Sequence, residues 1–108
     1  MSAWGMLVLL SLVPGFALAG EIRGAIELRG QAVGPGVGIE VHCGEHVYST
    51  ITDKYGSYRL FLPETGTCQL QITYQNQTPS REIVSFADST RYDLTLDKED
   101  DHYVLRRK

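Results

Sequence analysis

From Gly20 onward, apolar and polar residues alternate with a period of two, and no stretch there shows the wider spacing of a helix face. Ile22, Ile26 and Leu28 alternate with polar residues or glycine, the pattern of a half-buried strand. Residues 30–38 hold four glycines and Pro35, which predicts a loop. Ile39, Val41 and Cys43 then alternate with Glu40 and His42, so Cys43 is expected on the apolar face. A strand follows over Val47 to Thr52, with Tyr48, Thr50 and Thr52 expected to face away from the core. Asp53-Lys54-Tyr55-Gly56 suits a type I turn closed by a glycine at positive φ. The next strand places Tyr58, Leu60 and Leu62 on one face, Arg59 and Phe61 on the other, and stops at Pro63.

After a turn at Glu64-Thr65-Gly66, Cys68, Leu70, Ile72 and Tyr74 share a face. Residues 75–79 form a polar turn, and Glu82–Phe86 and Tyr92–Leu96 read as two further strands. Short strands about ten residues apart, with turn signals between them, indicate one antiparallel β-sandwich rather than a parallel sheet. The acidic run from Asp97 to Asp101 and the basic Arg106-Arg107-Lys108 are read as a charged tail over 97–108; a last edge strand over 102–107 is the alternative.

The N-terminal segment has a different character. Leu7 to Leu12 is apolar apart from Ser11, Pro14 and Gly15 break the run, and Ala17-Leu18-Ala19 offers the small residues a signal peptidase reads. Residues 1–19 are therefore expected to be a signal peptide cleaved between Ala19 and Gly20. The apolar run is shorter than the roughly 20 residues a membrane span needs. No Lys or Arg precedes it, and a buried N-terminal helix is the competing reading.

This export signal changes how the rest is read. The expected location is secreted or periplasmic, and the remaining chain suffices for one domain with a marginal core, residues 20–96. Two cysteines in an exported chain suggest a Cys43–Cys68 disulfide, with two buried free thiols as the alternative. Such a staple is worth about 3 kcal/mol for a loop of this length. The net charge of −3 argues against nucleic acid as a partner, because phosphate binding needs a basic face.

The order of these features resembles the carboxypeptidase regulatory-like domain, a transthyretin-like, Ig-like sandwich of about seven strands. The resemblance rests on Gly24 within Ile22–Ile26, on Val37-Gly38-Ile39-Glu40-Val41, and on Thr52-Asp53, Gly56, Tyr58, Leu60, Leu62-Pro63 and Gly66. Cys68, Leu70, Ile72, Tyr74 and Pro79 complete it, with Cys68 standing where the family has an aromatic residue. It implies a module that accompanies an enzyme or an outer-membrane receptor, supports folding, docking or binding, and does not carry the chemistry. Fold alone does not license a function.

Candidate sites are sparse. His42, Glu45 and His46 could ligate zinc or copper if the turn between them folded them together, but a hairpin turn with solvated polar side chains is the favoured reading. Asp97, Glu99, Asp100 and Asp101 have the oxygens calcium prefers and lack the spacing of a dedicated loop. No metal or other cofactor is therefore expected. Asn76-Gln77-Thr78 is a glycosylation sequon followed by the unfavourable Pro79. No catalytic motif is present, and the chain ends without the Tyr-Arg-Gly-Ser of the transthyretin-related hydrolases. The favoured contact face is Tyr48, Arg59 and Phe61, expected together on one exposed sheet surface. These readings predict a non-enzymatic interaction or structural module that docks on another envelope or extracellular protein. A small-molecule or glycan-binding accessory protein is the alternative, and a hydrolase a remote one.

Overall fold

A computed structural model describes residues 20–108, and the signal-peptide reading with its Ala19–Gly20 boundary lies on residues 1–19, outside the described residues. The described chain is all-β: ten strands in two sheets whose apolar faces build one core, an arrangement consistent with a β-sandwich.

The first sheet is organised around β1 (Gly20–Leu28), the longest strand, which buries Ile22 and Ile26 completely. On one side lie the two-residue β2 (Gln31–Ala32) and, farther along, β5 (Ser57–Leu62), both antiparallel to β1. On the other side run β8 (Ser89–Arg91) and β9 (Leu94–Glu99), both parallel to β1, and β10 (His102–Arg107) pairs with β9. The second sheet has the order β4 (His46–Ile51), β3 (Gly38–Cys43), β6 (Gly66–Thr73), β7 (Ser80–Ser85), antiparallel throughout.

Two expectations from the sequence are corrected here. The sandwich is not wholly antiparallel and has ten strands rather than about seven. Residues 97–108 are not a tail, because β9 and β10 form a tight hairpin there. Leu105 is buried opposite Leu96, Tyr103 packs edge-on against Tyr74 at 5.2 Å, and Arg106 pairs with Asp97 and Glu99. The Gln77 side chain clamps the hairpin, accepting from the Tyr103 amide at 2.8 Å and donating to the Asp101 carbonyl at 3.0 Å. Acidic and basic residues that look like a solvated tail are cross-strand partners.

Cys43 and Cys68 are buried and joined by a disulfide. Their Cα atoms are 4.6 Å apart, continuing the β3–β6 register one step past His42 and Gln69. The bond therefore staples the two central strands of one sheet. It is compatible with an extracellular or periplasmic location. No helix among the described residues is long and apolar enough to cross a membrane.

The chain changes sheet between β4 and β5. At the end of β4, the Thr52 amide donates to the Val37 carbonyl, holding that segment against the second sheet. Asp53 then accepts the amides of Tyr55 and Ser57 on its Oδ1, and Gly56 turns the chain at φ 73°. A side chain at Gly56 would be strained by that angle and would bring a Cβ within 2.8 Å of the Ile26 carbonyl oxygen. From Ser57 onward β5 is captured by β1.

Candidate functional site

The expected contact face does not assemble. β4 and β5 do not pair, and they belong to different sheets, so Tyr48 lies apart from Arg59 and Phe61. The orientation within β4 is also one residue off the expectation. The β3–β4 hairpin turns on Gly44 and Glu45, which sets Tyr48 opposite Val41 and Thr50 opposite Ile39, both core positions. Tyr48 is half-buried against the core, and Thr52 is only 2% exposed. The Thr52 hydroxyl accepts from the Val37 amide at 3.0 Å and donates to the Gly34 carbonyl at 2.7 Å, pinning the glycine-rich loop. Val47 and Ile51 occupy the outer face instead, 54% and 65% exposed. β4 carries apolar residues on both faces, so its alternation alone does not decide which is inward.

Arg59 and Phe61 do lie on the outer face of the first sheet, with Arg59 Nε 3.3 Å from Glu21. The Tyr48 hydroxyl donates to Glu64 at 2.6 Å, and His46 Nδ1 lies 3.0 Å from the same carboxylate oxygen. The Tyr48 bond chiefly holds the Glu64 carboxyl below its ordinary range and pushes the Tyr48 phenol up.

The possible metal cluster is dispersed too. His42 and His46 project to opposite faces of the sheet, His42 toward Glu40 at 3.1 Å and His46 toward Glu64. Among the described residues, no three His, Cys, Asp or Glu side chains are grouped to hold a metal ion.

What the structure does present is an asymmetry between the edges of the four-stranded sheet. The edge strand β7 is closed at Val84. The Tyr92 hydroxyl accepts from the Val84 amide at 2.9 Å and donates to the Val84 carbonyl at 3.0 Å, so one side chain occupies both groups. Tyr92 can reach because it lies at a break between β8 and β9. These two strands keep one register along β1, Glu21 opposite Ser89 and Ile26 opposite Leu94, with Tyr92 and Asp93 left between.

Three groups support that break. Asp93 Oδ1 accepts the Ala25 amide at 3.0 Å, standing in for a ladder bond, while Arg91 holds Oδ2 at 2.9 Å. The Arg91 bond is the main reason the Asp93 carboxyl titrates below its usual range. Gly24 allows the close approach, since a Cβ there would fall 1.9 Å from the Tyr92 carbonyl oxygen. Tyr58, directly opposite Gly24, extends past it to donate its hydroxyl to that same oxygen at 2.6 Å. Burial pushes the Tyr58 phenol up, so it remains a donor.

The edge strand β4 has no such cover. The Thr52 amide bond to Val37 sets the phase of the β3–β4 ladder. Antiparallel positions alternate between bonded and non-bonded, so Val47, Ser49 and Ile51 turn their backbone groups away from β3. Among the described residues those groups find no partner. Beside them on the outer face is a shallow recess of about 370 Å³ over Gly38, walled by Ile51, Ser49, Glu40 and Thr73.

Sequence reasoning missed this site because it depends on which edge is left uncovered. Ser49 and Ile51 carry no chemical signature, and Tyr92 reads simply as a core aromatic. No family model matches the sequence, and no curated protein matches it.

Proposed function

We propose that the chain is a non-enzymatic, exported interaction module of the transthyretin-like, carboxypeptidase regulatory-like kind, and that it docks on another envelope or extracellular protein by accepting an extended segment along β4. The observation that carries this reading is the open β4 edge. It offers the unpartnered backbone groups of Val47, Ser49 and Ile51 next to two large exposed apolar side chains. An added strand gains affinity from main-chain hydrogen bonds and specificity from pockets beside the edge. The Gly38 recess supplies such a pocket, because glycine leaves room between Ile51 and Thr73 for an apolar side chain of the incoming strand. Open edges are normally blunted by proline, lysine or a bulge. His46–Ile51 contains neither proline nor lysine, and its pairing with β3 is unbroken. A glycan-binding accessory role draws less support, since Tyr48 and Phe61 do not form a common aromatic platform.

Ser49→Pro tests the proposal. Proline removes an N–H that faces outward and leaves the bonds to β3 intact, so the fold should lose less than about 1 kcal/mol. A photo-crosslinker at Ile51 should give one discrete adduct with a partner in the native compartment, and the adduct should disappear in Ser49→Pro. A crosslinker at Val84, whose backbone groups the Tyr92 hydroxyl occupies, should give none. An Ile51 adduct that survives Ser49→Pro at full yield would reject strand addition, and an adduct with a second copy of this chain would replace the foreign partner by self-association.

A further inference from the structure

The outer face of the first sheet carries a second arrangement, which adjoins the β4 edge at Thr50 and Ile51 and rests on different groups. Arg23 of β1 stands opposite Arg59 of β5 on one side and opposite Arg91 of β8 on the other. Residues directly opposite one another project from the same face of a sheet, with Cβ atoms about 5 Å apart. Three guanidinium groups therefore lie in one row across three adjacent strands, all exposed. They line a single shallow recess of about 450 Å³, bounded also by Asp53 and Ser57 and, from β4, by Thr50 and Ile51. The charged side chains of that recess are three arginines and one aspartate, although the whole chain has a net charge of −3.

Such a row is not explained by folding. Like charges directly opposite on neighbouring strands repel and destabilise a sheet. Arg59 offsets this through Glu21, two residues before Arg23 on β1, and Arg91 through Asp93, in the break that follows β8. Arg23, in the centre, makes no ion pair among the described residues. The Asp53 carboxylate is already engaged at Oδ1 by the amides of Tyr55 and Ser57. The row thus has one uncommitted guanidinium flanked by two others whose remaining N–H donors still face the recess.

We propose that this recess binds a tetrahedral oxyanion, the phosphoryl or sulfuryl group, with Arg23 as its principal ligand and Arg59 and Arg91 as flanking donors. The guanidinium fork matches two oxygens of such a group, and three forks in a row suit more than one negative charge. A single carboxylate would be satisfied by Arg23 alone and would leave the flanking pair without purpose. The site is open to solvent, so binding is weak and falls as ionic strength rises.

The test is a titration of the purified protein with inorganic phosphate at constant low ionic strength, chloride replacing phosphate in the reference, with arginine Nε–H resonances as the readout. The Arg23 signal should move along a saturable curve, with Arg59 and Arg91 following. Arg23→Gln should weaken binding by about tenfold or more, with an unchanged or higher melting temperature because it relieves like-charge repulsion. Arg29→Gln makes the same charge change at the β1–β2 turn and should weaken binding less than about twofold. Inorganic sulfate and glycerol phosphate complete the series. Competition by glycerol phosphate identifies the group as one carried on an ester, and its failure to compete identifies the free anion. A linear, non-saturating response, or equal losses in Arg23→Gln and Arg29→Gln, would overturn the proposal.

Discussion

At β7 the outward N–H and C=O of Val84 are both taken by the Tyr92 hydroxyl, whereas at β4 the outward groups of Val47, Ser49 and Ile51 have no partner among the described residues. The two edges bound the same sheet and share the same central strands, stapled by Cys43–Cys68. Only the covering differs. Closing β7 takes a long-range device: a break in the parallel β8–β9 run, a glycine at position 24 to admit it, and two buried tyrosines. A chain that caps β7 at Val84 and builds no such cap along β4 leaves the whole length of β4 available for pairing.

The comparison can be broken most forcefully at Tyr92. Tyr92→Ala should destabilise by about 3–5 kcal/mol, as for other buried aromatics, since it deletes a core ring and both bonds to Val84. Tyr48→Ala, at the open edge, should lose distinctly less, because Tyr48 is only half-buried and donates to a solvent-exposed carboxylate. Urea unfolding of the two variants measures both. Equal losses would mean that the closed edge contributes no more to stability than the open one.

Next in size is the staple common to both edges. Replacing Cys43 and Cys68 together by alanine should cost about 2–4 kcal/mol by chemical denaturation. Because the bond joins the central strands β3 and β6, amide protection should fall on both sides of it rather than at β4 alone.

A smaller effect comes from acid. Asp93, beside the closed edge, has its carboxyl held below the ordinary range first by Arg91. A group depressed in the folded state stabilises above its unfolded pKa and loses that contribution as pH falls through the folded value. The contribution is thus complete at neutral pH and fades below about pH 4. In Asp93→Asn the fall in melting temperature on acidification through that range should be shallower than in the parent. An unchanged slope would remove Asp93 from the account of how β7 is closed.

Much of the fold is legible along the chain because strand period and turn chemistry are local. Ile22, Ile39, Val41, Leu60, Leu62, Leu70 and Ile72 are core as their alternation predicts, and both cysteines face inward. The Asp53–Gly56 turn has its glycine at positive φ as expected. What escapes is set by pairing. The β4 orientation depends on a two-residue turn at Gly44-Glu45, and apolar residues on both faces hide it. Residues 97–108 become strands only because Leu105 meets Leu96 and Gln77 reaches over from a distant turn. Asp93 and Arg91 are brought to Ala25 and Arg23 by a parallel register spanning 68 positions, and Arg59 joins the row through the antiparallel β1–β5 pairing, so no local window contains the row.

The most direct test of the central claim is amide hydrogen exchange, read residue by residue in the free protein and again with its partner bound. In the free protein, the amides of Val47, Ser49 and Ile51 should exchange far faster than those of Tyr48 and Thr50, while Val84, although also on an edge, should be protected. On binding, Val47, Ser49 and Ile51 should become protected and Val84 should not change. Val47, Ser49 and Ile51 already as protected as Tyr48 in the free protein, or still unprotected in the complex, would contradict an open edge that works by strand addition.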